Sequence, residues 1–429
     1  MPATLRDAVS DAAWVEAMLE VERALANAES LAGVIPAAAA TEIADACSGG
    51  VFDVQALVEA GRLPGNPAEP LVRELRGRVS PEAARYVHFG ATSQDVVDSA
   101  AMLVARNALA LVDEELGAVI GLCAGLARRH RDTPLAARTL LQQAVPTTFG
   151  YKAAGWLLAV HASRARLADL AAALPAQLGG AAGTLAPLGD DALEVVRLFA
   201  AELELAEPAL PWHTSRSVVA ELGSALALTA GSLAKIGLDV VLLAQTEVGE
   251  VAEASSGGSS ALPQKRNPVG AVLARACERR VRAEAAILAE SVVGEHERAA
   301  GAWHSEWAAL TNALAFTGGA AAAIRRSLDG LHVDVARMRA NLDLTGGAVV
   351  AERLAVELAA ELGREQAHEL VRAATARAAA DGSSLSEAVE AERPGLAADR
   401  IAALLDPTTY LGSAGAFVDR ALALVEGAS

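Results

Sequence analysis

The chain has 429 residues, of which 53% are hydrophobic but only 3% aromatic, and its formal net charge at pH 7 is −17. Because the apolar mass comes from Ala, Leu and Val, the composition favours an all-α protein and argues against a β-sandwich, a disulfide scaffold or a disordered chain. The acidic charge argues against nucleic acid and anionic membranes as partners, so a site for an anionic substrate has to concentrate positive charge locally.

The three cysteines, Cys47, Cys123 and Cys277, are far apart and form no C-x-x-C pair, which is typical of a reducing compartment rather than of a disulfide framework or a zinc site. The N-terminal residues contain no basic segment followed by an apolar run, so we expect no signal peptide and a cytoplasmic location. The uncharged stretch 307–324 is as long as a membrane span but contains polar residues, and we expect it to be a buried helix.

Along the chain, we expect a small N-terminal helical domain over 1–98, a central bundle of long helices over 99–345 and a small C-terminal helical domain over 346–429. The clearest periodicity opens the central region, where apolar residues alternate at spacings of three and four along one helix. This heptad seam consists of Met102, Ala105, Leu109, Val112, Leu116, Val119, Cys123 and Leu126.

Further long helices are predicted, and Pro268 is expected to be the first residue of one of them because its missing N–H needs no partner there. Their approximate ranges are 147–173, 217–252, 268–300 and 305–330. The broad apolar stripes on these long helices predict burial against other subunits.

The first candidate site segment is His88-Phe-Gly-Ala-Thr-Ser-Gln-Asp95, just before the heptad helix. Thr92, Ser93 and Asp95 are typical helix caps, but the same hydroxyls at a helix N-terminus also suit a substrate carboxylate. His88 would reach the same cavity. The residues alone leave both interpretations open.

The second segment is Arg138-Thr-Leu-Leu-Gln-Gln-Ala-Val-Pro146. Taken alone, Arg138 is more typical of a surface charge, and Gln142 and Gln143 are more typical of solvated or backbone-bonding amides.

The third segment is Gly257-Gly-Ser-Ser-Ala-Leu-Pro-Gln-Lys-Arg-Asn-Pro268, which is either a flexible linker or a catalytic loop. Backbone amides after two glycines, together with Lys265 and Asn267, can stabilise an enolate-type oxyanion, and a serine held there can exchange a proton with a carbon next to a carboxylate. Residues 262–282 carry a net charge of +5, as a polyanionic substrate requires, although the last four arginines could instead pair with acids on neighbouring helices. The basic residues are Lys265, Arg266, Arg275, Arg279, Arg280 and Arg282.

These three segments carry a family resemblance. Gly258-Ser-Ser-Ala-Leu-Pro-Gln-Lys-Arg-Asn-Pro268 resembles the GSSxMPxKxNP signature of the fumarase/aspartase superfamily, with Leu262 in place of Met. The other two segments resemble the first and second active-site regions of that superfamily, in the same order, and the closer resemblance is to its 3-carboxy-cis,cis-muconate cycloisomerase branch. Similar stretches cover most of the chain and include 85–95, 141–156, 211–214, 245–250, 296–307 and 410–412.

The resemblance implies a three-domain fold whose long helices form a multi-helix core in a homotetramer, with each active site built from three different subunits. It implies a small polycarboxylate substrate and no cofactor. By position it makes Ser259 the catalytic proton-transfer residue, with His88 and Lys265 also at catalytic positions. The implied substrate-binding residues are Thr92, Ser93, Gln142, Arg138, Arg216, Ser260 and Asn267.

Leu140 stands where many lyases of the superfamily carry a histidine as general acid, and a lyase that expels an amine would lose about 10²–10⁴-fold in rate without that acid. Lactonisation needs no acid on that side because the nucleophile is the substrate's own ionised carboxylate. We therefore expect a cycloisomerase that acts on 3-carboxy-cis,cis-muconate. The alternatives are a fumarate-releasing C–N or C–O lyase on a succinyl compound, including an adenylosuccinate-lyase-like enzyme, and a non-catalytic oligomeric protein on the same fold.

The remaining histidine and motif patterns point away from metals and nucleotides. His213 and His304 are more typical of packing or hydrogen bonding than of catalysis. H-E-x-x-H is absent, His296 and His304 lack ligand-like spacing, and there is no phosphate-binding glycine loop. Neither a metal site nor a nucleotide cofactor is expected. Arg216 is followed by Ser217 where an Arg-Asp pair is more usual, so its role in binding a carboxylate stays open.

Overall fold

The computed structural model describes residues 2–49, 51–254, 257–258, 262 and 264–427. These residues form seventeen α-helices and three two-stranded antiparallel sheets, so the predicted all-α class is confirmed.

The N-terminal part consists of short helices around one longer helix, α2, which packs against α3. Ser10 caps α2 by accepting a hydrogen bond from the Ala13 N–H at 3.3 Å. The helices of this part are α1 (Ala3–Ala8), α2 (Asp11–Leu31), α3 (Ala37–Ser48), α4 (Val54–Ala60) and α5 (Ala68–Arg76).

The central part contains five helices of 22 to 37 residues and one shorter helix. They are α6 (Ser93–Arg129), α7 (Phe149–Ala172), α8 (Ala192–Glu202), α9 (Ser217–Leu243), α10 (Val269–Glu290) and α11 (Ala302–Leu328). All eight apolar residues of the predicted heptad seam are buried along α6, which confirms that seam.

Two of the predicted long helices end earlier than expected. After α9, the Gly249 N–H donates to the Gln245 carbonyl at 2.7 Å and the chain enters a strand, because Gly249 adopts φ +62. After α10, the Ser291 hydroxyl donates back to the Leu288 carbonyl at 2.7 Å. At its other end, α10 begins one residue after Pro268, whose carbonyl accepts the first helical hydrogen bond from Val272.

The strands are short except for one hairpin, β1–β2, which the sequence did not predict. The strands are β1 (Pro134–Thr139), β2 (Gln142–Thr148), β3 (Val251–Ala252), β4 (Gly257–Gly258), β5 (Arg266–Asn267) and β6 (His332–Val333). They pair as β1–β2, β3–β6 and β4–β5.

The C-terminal helices enclose a separate apolar core that includes Leu354, Leu358, Val371, Leu385, Val389 and Ile401. Gly382 with φ +76 ends α14, and a reciprocal capping box between Ser384 and Glu387 starts α15. The helices are α12 (Val335–Asp343), α13 (Ala351–Leu362), α14 (Arg364–Asp381), α15 (Leu385–Glu392), α16 (Ala398–Leu404) and α17 (Ala414–Glu426).

The chain divides into two compact units, each assembled from three segments. The first unit comprises Met1–Gly117, Ala162–Ala234 and Leu273–Ala323, and the second comprises Ala118–His161, Lys235–Val272 and Ile324–Ser429. The division of the chain into domains at 1–98, 99–345 and 346–429 stays a prediction.

Two helices, α9 and α11, are long and apolar enough to cross a membrane by length and composition alone. Their most apolar windows are 50% and 67% buried inside the folded chain. The stretch 307–324 lies within α11, where Leu310, Leu314 and Ile324 are buried, as expected for a core helix.

Gly150 lies where the start of α7 packs closely against the end of α6. A Cβ at Gly150 would lie 2.6 Å from the His130 carbonyl oxygen and 2.7 Å from the Ala127 carbonyl oxygen, and backbone atoms cannot rotate away. We expect Gly150→Ala to lower the free energy of unfolding by about 1–3 kcal/mol. Gly155→Ala on the same helix is the control: its Cβ meets nothing within 4 Å, so the change should be neutral or stabilising by about 1 kcal/mol. Urea denaturation measures both, and equal effects would contradict this packing.

Candidate active site

The first site segment lies at the N-terminus of α6, where Asp95 acts as a cap. Its backbone N–H donates to the Thr92 carbonyl at 2.9 Å, and its carboxylate accepts from the Thr92 N–H at 2.9 Å. The Thr92 and Ser93 hydroxyls have no hydrogen-bond partner among the residues that the structure describes. They therefore remain available to a carboxylate at the positive end of a 37-residue helix.

The Asp95 carboxylate also ties this segment to the glycine-rich connection after α7. It accepts hydrogen bonds from the Gly179 N–H at 3.0 Å and the Gly180 N–H at 2.9 Å. A Cβ on Gly180 would lie 2.6 Å from the Gly90 carbonyl oxygen, so only glycine permits this close approach. His213 Nε2 lies 2.6 Å from Asp95 Oδ1, which agrees with the prediction that His213 is a hydrogen-bonding residue.

His88 is held by a buried carboxylate from α2. Its Nδ1 lies 2.6 Å from Oε1 of Glu22, and its backbone adopts φ +61, a conformation that non-glycine residues rarely take. The Glu22 side chain is fully buried and the His88 side chain is 14% exposed. Burial by itself lowers the pKa of His88, but the Glu22 carboxylate more than offsets this, so the pKa lies above its ordinary value.

Arg216 lies in a buried ionic cluster. Its guanidinium donates to both oxygens of Asp98, at 2.7 and 3.0 Å, and to both oxygens of Glu306. The indole N–H of Trp303 completes the cluster with a 2.9 Å hydrogen bond to Asp98. Because two carboxylates already occupy the guanidinium, these contacts argue against the expected binding of a substrate carboxylate by Arg216 and indicate a structural role.

The second site segment is the β1–β2 hairpin. Leu140 and Leu141 form its two-residue turn with φ of 50° and 66°, a conformation that normally favours Asn and Gly, and they are 97% and 76% exposed. Gln142 next to the turn is also exposed. Arg138, in contrast, pairs with the buried Glu250 at 2.7 and 3.0 Å, so its charge is already matched within the chain.

The third site segment is partly described. Ser259 and Ser260, the expected catalytic serine and its neighbour, lie outside the described residues. The segment is closed by pairing of Gly257 with Asn267 and of Gly258 with Arg266. Lys265 is exposed, and its ammonium has no partner among the described residues.

Glu253 occupies the N-terminus of α10. Its carboxylate accepts from the Gly270 N–H at 3.0 Å, the Ala271 N–H at 2.9 Å and the Ser327 hydroxyl at 2.6 Å. This helix end is therefore satisfied from within the chain and offers less to a substrate than the N-terminus of α6.

The basic segment 262–282 is partly neutralised. Arg280 pairs with Glu284 at 3.1 Å, and Arg282 pairs with Glu278. Both partners lie on the same helix, so the expected pairing with acids does occur, but within α10 rather than with a neighbouring helix.

The predicted site residues fall into two groups, one in each compact unit. His88, Thr92, Ser93 and Arg216 belong to the first unit. Arg138, Gln142, Lys265 and Asn267 belong to the second.

Sequence reasoning missed the buried carboxylates that hold the predicted residues, namely Glu22, Glu250 and Glu306. A signal for Glu22 was present in α2, where it follows Val15 and Met18 at helical spacing on the buried face. A charged residue in such a position needs a partner, and His88 is that partner.

Comparison with known proteins identifies the family. A family described as lyase matches residues 3–283, and one described as adenylosuccinate lyase C-terminus matches residues 347–421. The chain belongs to the lyase family. This is the fumarase/aspartase superfamily that the third segment resembles, so that prediction is confirmed.

Named relatives of this lyase-family chain cover nearly its full length. Nitrosuccinate lyase from Streptomyces davaonensis is 48% identical and spans 97% of this chain and 91% of the relative. 3-Carboxy-cis,cis-muconate cycloisomerase from Bradyrhizobium diazoefficiens is 46% identical and spans 99% of this chain and 96% of the relative. The crystal structure of 3-carboxy-cis,cis-muconate lactonizing enzyme from Pseudomonas putida superposes with a TM-score of 0.93 at 42% identity, covering 99% of this chain and 97% of that one.

Glu29, two turns after Glu22 on α2, gives this lyase-family chain a testable pH dependence. Burial, and then the nearby Glu22 carboxylate, raise the pKa of Glu29 to about 9, and neither of its side-chain oxygens has a hydrogen-bond partner in the described chain. In the unfolded chain this group ionises near pH 4.5. The native state therefore holds a proton that the unfolded state has lost, and stability falls as pH rises across this window.

Glu29→Gln removes this ionisation at nearly constant volume. We expect the variant to gain stability over the wild type between pH 5 and pH 8, by up to about 1.4 kcal/mol per pH unit. Melting temperatures recorded across this range measure the difference. An advantage that does not grow with pH would contradict a buried, protonated Glu29.

Proposed function

We propose that the chain is a cofactor-independent cycloisomerase that converts 3-carboxy-cis,cis-muconate to a carboxymuconolactone in aromatic catabolism, within the β-ketoadipate pathway. The observation that carries the proposal is the 46% identity, over nearly the full length, to the cycloisomerase from Bradyrhizobium diazoefficiens. The fold shared with the Pseudomonas putida lactonizing enzyme supports it.

The proposed reaction is an isomerisation of the free acid, and the ionised substrate takes up one proton as the trianion becomes a lactone dianion, so Ser259 has to be reprotonated from solvent after each turnover. A substrate carboxylate oxygen forms a C–O bond to the adjacent double bond, and the π electrons generate an aci-carboxylate at the neighbouring position. Ser259 then delivers a proton to the carbon, while Lys265, Asn267 and the loop amides stabilise the developing charge. The role of Ser259 rests on the family resemblance.

Leu140 supports this chemistry. It stands at the exposed tip of the hairpin and has no proton to give. A carboxylate nucleophile is already ionised near pH 7, and in the reverse direction it leaves as a stable anion, so the missing general acid costs nothing on that side.

A second candidate is elimination from nitrosuccinate, because the Streptomyces davaonensis nitrosuccinate lyase is 48% identical. In this reaction a base removes a proton from the carbon next to a carboxylate, the C–N bond breaks and its electron pair leaves with nitrite, and fumarate remains. Nitrite is also a stable anion that needs no general acid. Leu140 therefore fits both candidates, and fits an ordinary amine-releasing lyase poorly.

A two-substrate assay separates the candidates. In one assay, purified protein is mixed with 3-carboxy-cis,cis-muconate, and loss of the diene absorbance is recorded. In the other, it is mixed with nitrosuccinate, and formation of nitrite and fumarate is measured. Loss of the diene without nitrite release supports the cycloisomerase. Nitrite release alone supports the second candidate, and no turnover of either compound or of other succinyl compounds contradicts both and favours a non-catalytic protein.

Ser259→Ala tests the proton-transfer role. We expect kcat on the active substrate to fall by about 10²–10⁴-fold because the carbon loses its proton donor or acceptor. Ser255→Ala, in the same part of the chain but outside the signature, should retain most of the activity. Full activity of the Ser259→Ala variant would rule out the assigned role.

We also propose a cytoplasmic homotetramer with active sites shared between subunits. The free cysteines Cys47, Cys123 and Cys277 support the reducing location. Apolar side chains left exposed on the long helices support burial against other subunits: Leu228, Leu238, Val272, Leu273 and Ile287.

Complementation tests the shared site. If His88 and Ser259 of one site come from different subunits, co-expressed His88→Asn and Ser259→Ala chains should form hybrid tetramers with restored activity, in about a quarter of the sites under random assembly. Each variant alone should be nearly inactive. Hybrid tetramers, verified by two affinity tags, that stay as inactive as the parents would contradict shared sites.

A further inference from the structure

The hydrogen bond between Glu22 and His88 joins two parts of the chain that are 66 positions apart. Glu22 lies inside α2, and its second oxygen, Oε2, is buried without a hydrogen-bond partner in the described chain. No other described residue donates to this carboxylate, and its charge acts on the imidazole 2.6 Å away.

The surroundings of His88 leave Glu22 as its dominant electrostatic partner. Asp95 adds negative charge at longer range, and Arg76 on α5 opposes it. Asp95 already accepts from three backbone N–H groups and lies 2.6 Å from His213, whereas Arg76 donates to the Val87 carbonyl at 3.2 Å. Among the described residues, only Glu22 forms a hydrogen bond with the imidazole.

The bond to Glu22 also fixes the direction of the imidazole. Because Nδ1 is engaged, Nε2 is the ring nitrogen that remains, and it has no hydrogen-bond partner among the described residues. The backbone at His88 adopts φ +61, and two residues later the Gly90 carbonyl lies close to Gly180 in the glycine-rich connection. The ring is thus anchored on one side and free to donate on the other, four residues before Thr92.

We propose that Glu22 is a positioning residue that fixes His88 as an imidazolium, with Nδ1–H toward Glu22 and Nε2–H toward a substrate carboxylate beside Thr92 and Ser93. The inference rests on the proposed function, because the proposed function supplies the polycarboxylate substrate of this site. In this arrangement His88 binds the substrate as a fixed cation, and Glu22 contacts only His88.

Glu22→Gln is the decisive variant because it keeps the size and a hydrogen-bond acceptor but removes the charge. Without the carboxylate, burial dominates and the pKa of His88 falls, so the imidazolium loses its proton at a lower pH. We expect KM for the active substrate to rise about tenfold at pH 7.5, with kcat changed less than about threefold, and the alkaline limb of kcat/KM to move to lower pH.

Glu29→Gln is the matched control. Glu29 is also buried on α2, but it does not contact His88, so the same exchange should leave KM and the pH profile unchanged. In a His88→Gln background, Glu22→Gln should add no further loss of affinity for propane-1,2,3-tricarboxylate, because the two residues act as one unit. If Glu22→Gln fails to fold, Glu22→Asp keeps the charge and should retain the alkaline limb.

Binding of propane-1,2,3-tricarboxylate, measured by calorimetry at pH 6.0 and 8.5, separates this inference from the proposed reaction. The wild type should bind more weakly at pH 8.5, and Glu22→Gln should bind weakly at both pH values, whether or not muconate is turned over. A Glu22→Gln protein with wild-type KM, tricarboxylate affinity and pH profile would overturn the positioning role. Equal losses in the presence and absence of His88 would overturn it as well.

Discussion

The first unit of this protein depends on two carboxylates in the first two turns of α6. Asp95 and Asp98 are both buried, three residues apart on the same face of the helix. Asp95 receives backbone N–H groups from its own helix start and from the glycine-rich connection, and Asp98 receives Arg216 and Trp303. Two buried carboxylates are tolerated here because each accepts several hydrogen bonds and both lie near the positive end of a long helix.

This anchoring explains why the neighbouring polar residues remain free. Since Asp95 caps the helix, the hydroxyls of Thr92 and Ser93 are not used for capping and stay without partners in the described part of the first unit. The site is therefore a rigid frame with a few unsatisfied donors, which is the arrangement that binding of a small anion requires. In the same way, Glu22 uses one nitrogen of His88 and leaves the other for a ligand.

The sequence pattern predicted the features that depend on residues close together in the chain. The seam from Met102 to Leu126 could be predicted because its apolar spacing repeats along a single helix. The signature that ends at Pro268 could be identified because its residues are contiguous. The hairpin turn at Leu140 and Leu141 was not predicted, since neither residue is typical of a turn with positive φ. The family resemblance implied that Arg216 binds substrate, and the sequence could not show its pairing with Asp98, which lies 118 positions away. Glu22 was missed because its partner, His88, lies 66 positions away.

The distribution of paired and unpaired cations narrows what the site can recognise. The family resemblance implies that Arg138 and Arg216 bind substrate carboxylates, but Glu250, Asp98 and Glu306 already pair with them within the chain. Among the described residues, the positive groups of the predicted site that remain for a substrate are Lys265 and the His88 imidazolium, together with the start of α6. Lactonisation delivers a proton to a carbon next to a carboxylate, nitrite elimination removes one there, and neither reaction needs an acid at Leu140. The two reactions therefore differ chiefly in how many carboxylates these few positive groups have to bind, three for carboxymuconate and two for nitrosuccinate, so placement of charge rather than the catalytic serine would select between them.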